Sequence, residues 1–72
     1  MTAKEAYSIL IKKWDNVRVV KCVEYSTEFV FVLGGMSGAA AVDKITQSVS
    51  KFIPSSIPLD EYRSGVEITN FK

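Results

Sequence analysis

The sequence predicts a single α+β domain of 72 residues. We expect an N-terminal helix packed on one face of an antiparallel meander of three to four strands, with a short helix near the C-terminus. Three observations predict this arrangement. A helix start signal opens the chain, segments rich in β-branched residues follow it, and a proline with two acidic residues marks a second helix start.

The first helix is predicted from a capping box in residues 2–5. The Thr2 side-chain oxygen accepts from the Glu5 amide, and the Glu5 carboxylate reaches back to the Thr2 amide. Ile9 falls outside the apolar stripe that follows, so it is a candidate exposed contact residue or a helix flank that touches the sheet edge. The stripe expected to face the sheet consists of Ala3, Ala6, Tyr7, Leu10, Ile11 and Trp14.

Four segments are predicted as strands. Residues 17–25 and 28–33 are rich in β-branched and aromatic side chains, and the short polar break between them predicts a hairpin. Residues 39–43 are the third strand and residues 48–53 the fourth, joined by a turn at residues 44–47. Because strand side chains alternate, the apolar residues of the second strand divide between the two faces of the sheet. Phe29, Phe31 and Leu33 are expected on one face, and Val30 and Val32 on the other.

The C-terminal segment predicts a short helix and a frayed tail. Pro58 suits the first turn of a helix, and Asp60 and Glu61 favour its positive end. Gly65 weakens or ends this helix. Phe71 stands in the tail, and it is therefore a candidate apolar contact for a partner.

Residues 34–38, GGMSG, are the segment most suggestive of chemistry. A P-loop requires a lysine after its last glycine, and a dinucleotide fingerprint requires different glycine spacing. Ser37 stands as in a G-x-S-x-A nucleophile elbow, but the chain has no histidine and Lys44 lies at no known spacing for a base. We interpret the segment as a turn between two strands, with Met36 at its tip as a candidate protein contact.

Composition excludes several function classes. Nine basic and eight acidic residues are well mixed, so no basic block predicts nucleic-acid binding. The single cysteine, Cys22, allows neither an internal disulfide nor a metal cage, and we interpret it as a small buried hydrophobe in a reducing, cytoplasmic setting. No signal peptide is expected, and the longest uncharged run, residues 29–42, is shorter than the roughly 17–25 residues that span a bilayer. We therefore expect no cofactor, no metal and no membrane contact.

Two pairs of acidic residues are candidates for catalytic carboxylates. Asp60 and Glu61 are adjacent and point apart on a helix, and Glu24 and Glu28 flank a solvated hairpin end. Acid–base chemistry of the glycosidase type requires one raised pKa in an enclosed cleft. We interpret all four as solvated charges.

Four short segments, KEAYSIL, VVKCVEY before FVF, AVDKIT and LDEY, resemble a group of small uncharacterised phage- and prophage-encoded proteins of Gram-positive bacteria. The segment AVDKIT is also similar to the hairpin motif of PepSY-like domains. Gln47 stands where that hairpin pattern has a glycine. The resemblance implies an accessory role in the virion or in head assembly, and it supplies no catalytic residues.

The leading hypothesis is a non-enzymatic structural or interaction protein of a phage or prophage, located in the host cytoplasm or the virion. It would self-associate or bind a protein partner, with Ile9, Met36 and Phe71 as contact residues. The alternative is a PepSY-like inhibitor or immunity-type module that binds one protein target. An enzyme is a third hypothesis, which the absence of histidine and the short chain disfavour.

Overall fold

The computed structural model describes residues 1–35, 38–53 and 57–72. Predictions that concern Met36, Ser37 and residues 54–56 lie outside these ranges. The elements in chain order are α1 (Ala3–Lys13), β1 (Val19–Glu24), β2 (Glu28–Leu33), β3 (Ala39–Asp43), β4 (Val49–Lys51), α2 (Leu59–Arg63) and β5 (Val66–Ile68). The strands form one antiparallel sheet in the order β4-β3-β2-β1-β5. The predicted α+β class is confirmed, with one strand more than expected.

Helix α1 begins at the predicted capping box. The Thr2 amide donates to Glu5 Oε1 at 2.9 Å, and the Glu5 amide donates to Thr2 Oγ1 at 3.2 Å. The buried face of α1 is rotated toward Ile9 relative to the predicted stripe: Ile9 packs against the core, and Ile11 is exposed. These two residues lie on opposite flanks of the stripe, and the sheet covers the flank that carries Ile9. The prediction that Ile11 belongs to the buried stripe is therefore wrong.

The strands β1 to β4 form the predicted meander. Residues 25–27 join β1 to β2, and the Tyr25 amide donates to the Glu28 carbonyl at 2.8 Å. The predicted strand 17–25 is two residues too long at its N-terminus and one at its C-terminus. The predicted strand 48–53 is also longer than the three residues of β4.

The sheet carries apolar residues on both faces. On the face that packs against α1, the residues of β2 are Phe29, Phe31 and Leu33, all buried. Val30 is buried on the opposite face, as the alternation predicts. The helix face is the larger core, consisting of Ala3, Ala6, Leu10, Val19, Cys22, Phe29, Phe31, Leu33, Ala40, Val42 and Phe71. The second core consists of Tyr25, Val30, Ala41 and Phe52.

The C-terminal segment differs from the prediction. Helix α2 ends at Arg63, before Gly65, and Val66 begins β5, a strand that the sequence did not predict. Ile68 pairs with Cys22 of β1 and packs on the helix-side core. The tail then places Phe71 in that core, so the prediction that the tail frays is wrong for this residue.

The turn between β3 and β4 contains a non-glycine residue in a strained backbone conformation, and a substitution there tests the strain. Gln47 has φ 60°, in the left-handed region, at the position where the related hairpin pattern has a glycine. Replacing Gln47 by glycine is expected to raise the free energy of unfolding by about 0.5–1 kcal/mol, because glycine adopts this conformation without a Cβ clash. Urea unfolding measures the change. The control is Gln47→Ala, which removes the same side chain but keeps the clash, and an equal gain in that variant would contradict the explanation.

Candidate functional site

The face of the sheet opposite α1 contains an open groove of about 430 Å³. Its residues, which define the aromatic groove, are Lys21, Val23, Tyr25, Val30, Val32, Leu33, Gly35, Gly38, Ala39, Phe52 and Tyr62. The strand residues Val23, Val30, Val32 and Ala39 supply small apolar side chains between larger aromatic ones. This is the combination that binding sites for apolar groups commonly show.

The aromatic residues of the groove hold one another in place. The Tyr25 ring lies 6.1 Å from the Phe52 ring and 6.5 Å from the Tyr62 ring, both in stacked orientation. The Tyr25 hydroxyl donates to the Tyr62 carbonyl at 3.1 Å, which ties α2 to the sheet. Burial raises the pKa of Tyr25, with Tyr62 and Glu28 adding to the effect, so the hydroxyl keeps the proton that it donates.

Lys21 is the one charged residue among the described residues that line the groove. Its Nζ lies 3.6 Å from Glu67 Oε1, and the two side chains are 49% and 57% exposed. An ion pair as exposed as this contributes little to stability. The ammonium group is therefore free to exchange Glu67 for another anionic group at the edge of the groove.

The glycine segment forms one end of the groove. The Leu33 amide donates to the Gly38 carbonyl at 2.8 Å, and β2 pairs antiparallel with β3. Gly35 and Gly38 have φ 68° and 80°, which favour glycine at both positions. The antiparallel pairing confirms the prediction that the chain reverses direction between β2 and β3.

The opposite end of the sheet is acidic. Glu28 pairs directly with Asp43 on the neighbouring strand. The amides of Thr46 and Ile45 donate to Asp43 Oδ1 at 2.9 and 2.8 Å and lower the pKa of that carboxyl. Burial raises the pKa of Glu28, and the charges of Asp43 and Glu61 raise it further. Because the amides stabilise the charge on Asp43, the repulsion between the two carboxylates raises the pKa of Glu28 and not that of Asp43.

Lys44 partly offsets this charge. Its Nζ lies 2.7 Å from Glu24 Oε2 and 4.9 Å from the centre of the Phe29 ring. The pair Glu24 and Glu28 therefore does not act as two facing carboxylates in a cleft, since Glu24 is held by Lys44. Both residues were interpreted as solvated charges, and the structure shows that each is half-buried.

Cys22 is fully buried in the helix-side core, as expected for a small hydrophobe. Burial raises the pKa of its thiol to about 11, with a smaller contribution from Glu24. The thiol is therefore protonated at neutral pH, and only the thiolate is an effective nucleophile or metal ligand. In residues 1–35, 38–53 and 57–72, no group of three or more His, Cys, Asp or Glu residues is placed to hold a metal ion.

Of the three predicted contact residues, the structure describes Ile9 and Phe71, and both pack on the helix-side core. Ile9 is half-buried against the helix-side core, and Phe71 is only 7% exposed there. Phe71 lies 5.6 Å from the Tyr7 ring and 5.9 Å from the Phe31 ring, so a contact role would require the tail to leave the core. Met36 lies outside the described residues.

Sequence reasoning placed Val30 and Val32 on the second face but missed the groove above them. The groove could have been predicted from the apolar residues on that face, because an antiparallel sheet that is covered on one face only usually carries polar residues on the other. The groove also depends on Phe52 and Tyr62, which no local pattern associates with β2.

Comparisons with known proteins add no family to this description. No protein-family model matches the chain, and comparison with curated proteins and with solved structures finds no match. The resemblance to phage proteins therefore stays a prediction. Among the described residues, no helix has the length and apolar character needed to cross a membrane.

Proposed function

We propose that this chain is a small non-enzymatic interaction protein that binds a protein surface through the aromatic groove. The observation that carries the proposal is the groove itself, in which half-buried apolar side chains of three strands, Val23, Val32 and Ala39, lie beside three aromatic residues. A chain of 72 residues buries a smaller share of its surface on folding than a larger domain does, about 60%, so covering this face with a partner adds stability that the isolated chain lacks.

The resemblance to small phage and prophage proteins supports a structural or assembly role, in the virion or in the host cytoplasm. The absence of histidine from the sequence and the protonated state of Cys22 support a role without catalysis. The alternative, an inhibitor or immunity-type module, uses the same groove. It differs in the partner, which is then a single protein target and not an assembly component.

Site-specific photo-crosslinking tests the proposal. Tyr62 is replaced by p-benzoylphenylalanine, which keeps an aromatic ring at a groove position that is 43% exposed. The control carries the same residue at Ser8, on the exposed side of α1. Each purified protein is irradiated at high concentration, alone and in a Gram-positive bacterial extract, and the adducts are identified by mass spectrometry.

We expect a protein adduct at Tyr62 and none at Ser8. Excess wild-type protein should suppress the adduct, whereas an excess of the groove variant Lys21→Glu should suppress it less. Equal labelling at both positions, or no adduct at either, would overturn the proposal. An adduct with a single enzyme would support the inhibitor alternative.

A further inference from the structure

We propose that the partner of the aromatic groove is a second copy of this chain, which inserts Ile45 of its β3–β4 turn. This inference rests on the proposed function and specifies the partner of the same site. Ile45 is 89% exposed, the highest exposure among the large apolar residues that the structure describes. A side chain of this kind, isolated on a turn, is suited to enter an apolar groove.

The turn is held in a fixed conformation that keeps Ile45 pointing outward from the sheet. Asp43 Oδ1 accepts the Ile45 and Thr46 amides, and the Lys44 amide donates to the Thr27 carbonyl at 3.0 Å. The Asp43 amide also donates to the Ser48 carbonyl at 3.0 Å. Because the turn is already ordered, binding through it costs little conformational entropy.

The charges at the two ends of the sheet are complementary. Glu28 pairs with Asp43 at the turn end of the sheet; burial raises the pKa of Glu28, and the nearby charges of Asp43 and Glu61 raise it further. Lys44 of the turn is already paired with Glu24. At the groove end, Lys21 lies on the lining beside Glu67, and the Arg18 side chain lies next to Gly34. A turn entering the groove of another copy therefore brings acidic groups toward basic ones, which favours this orientation and speeds association.

Strand β3 sets the geometry of the assembly. Its first residue, Ala39, lines the groove, and its last residue, Asp43, begins the turn, so the two surfaces lie at opposite ends of one strand. Two copies can therefore exchange turns reciprocally in a two-fold dimer, or each copy can bind the next head-to-tail, which leaves one groove and one turn unoccupied in an open assembly. Head-to-tail contacts build rings or filaments, depending on whether the rotation between copies closes.

The test compares association of the wild-type protein and two variants by light scattering over a range of concentrations. Ile45→Asp removes the inserted side chain, and Lys21→Glu reverses the charge at the groove. Each variant is expected to raise the dissociation constant at least tenfold, and high salt should weaken wild-type association. The matched control is Leu59→Asp, at a residue that is 60% exposed and outside the groove lining, and it should associate as the wild type does.

Mixing the two variants provides the decisive measurement. The Lys21→Glu chain keeps its turn and the Ile45→Asp chain keeps its groove, so an equimolar mixture should form a 1:1 dimer that grows no further. Any one of three results would overturn the inference. The wild-type protein stays monomeric at all concentrations, Ile45→Asp associates as the wild type does, or the mixture forms no 1:1 dimer. If the Tyr62 crosslinker then labels a different protein, the proposed function stands and self-association fails; if it labels nothing, both fail.

Discussion

Replacing Phe71 by alanine is expected to lower the free energy of unfolding by about 3–5 kcal/mol, the usual cost of truncating a buried phenylalanine. Phe71 is 7% exposed and packs on Tyr7 of α1 and Phe31 of β2. The truncation leaves a cavity between the helix and the centre of the sheet. A chain of this length has a total stability of about 4–11 kcal/mol, so the variant is expected to be close to unfolding at 25 °C.

Urea unfolding followed by circular dichroism measures this loss. Phe71→Leu keeps most of the buried volume and should cost less than half as much, and Thr69→Ala, at an exposed position in the same tail, should cost within about 0.5 kcal/mol of zero. A loss below about 1 kcal/mol for Phe71→Ala would show that the tail contributes little to the core. In that case Phe71 would become available as the apolar contact that its place near the C-terminus first indicated.

The sequence predicted those elements whose determinants are local. The capping box at Thr2 and Glu5 fixes the start of α1, and side-chain alternation assigns Phe31 and Val30 to opposite faces of β2. The glycines at 34, 35 and 38 predict a chain reversal, and two of them, Gly35 and Gly38, adopt the positive φ angles that favour glycine. In each case the residues that decide the structure lie within a few positions of one another.

The elements that were missed depend on distant partners. Strand β5 has three residues, too few for a clear alternation, and it exists because Ile68 and Glu67 pair with β1 at the other end of the chain. Phe71 is buried for the same reason, since β5 directs the tail under α1. The choice between Ile9 and Ile11 likewise depends on the rotation at which α1 packs on the sheet, which the apolar stripe alone leaves open.

The candidate site combines both kinds of determinant. Val30 and Val32 were placed on the correct face from sequence, but the groove requires the segment that carries Phe52 and Tyr62 to return over that face. The Tyr25 hydroxyl fixes that return by donating to the Tyr62 carbonyl. Such a contact between residues far apart in the chain has no signature in local composition.

At Gly65 the C-terminal segment passes close to the sheet. Gly65→Ala is expected to lower the free energy of unfolding by about 1–3 kcal/mol. A Cβ at Gly65 would lie 2.5 Å from Val23 Cγ1 and 2.8 Å from Tyr25 Cε1 and Cζ. Val23 is β-branched and has little rotamer freedom, and the Tyr25 ring is fixed by its bond to Tyr62. The clash is therefore relieved only by moving α2 and β5 away from the sheet.

Two further variants separate this steric effect from the general cost of replacing a glycine, again by urea unfolding. Gly38→Ala places a Cβ in open space at φ 80° and should cost about 1 kcal/mol from backbone strain alone. In a Val23→Ala background the nearest clashing atom is absent, so Gly65→Ala should cost clearly less than in the wild type. An equal cost in both backgrounds would contradict the steric explanation. Because Val23, Tyr25 and Tyr62 all line the aromatic groove, a displaced α2 should also weaken every interaction that the groove makes, whereas Thr69→Ala at an exposed position of the tail should not.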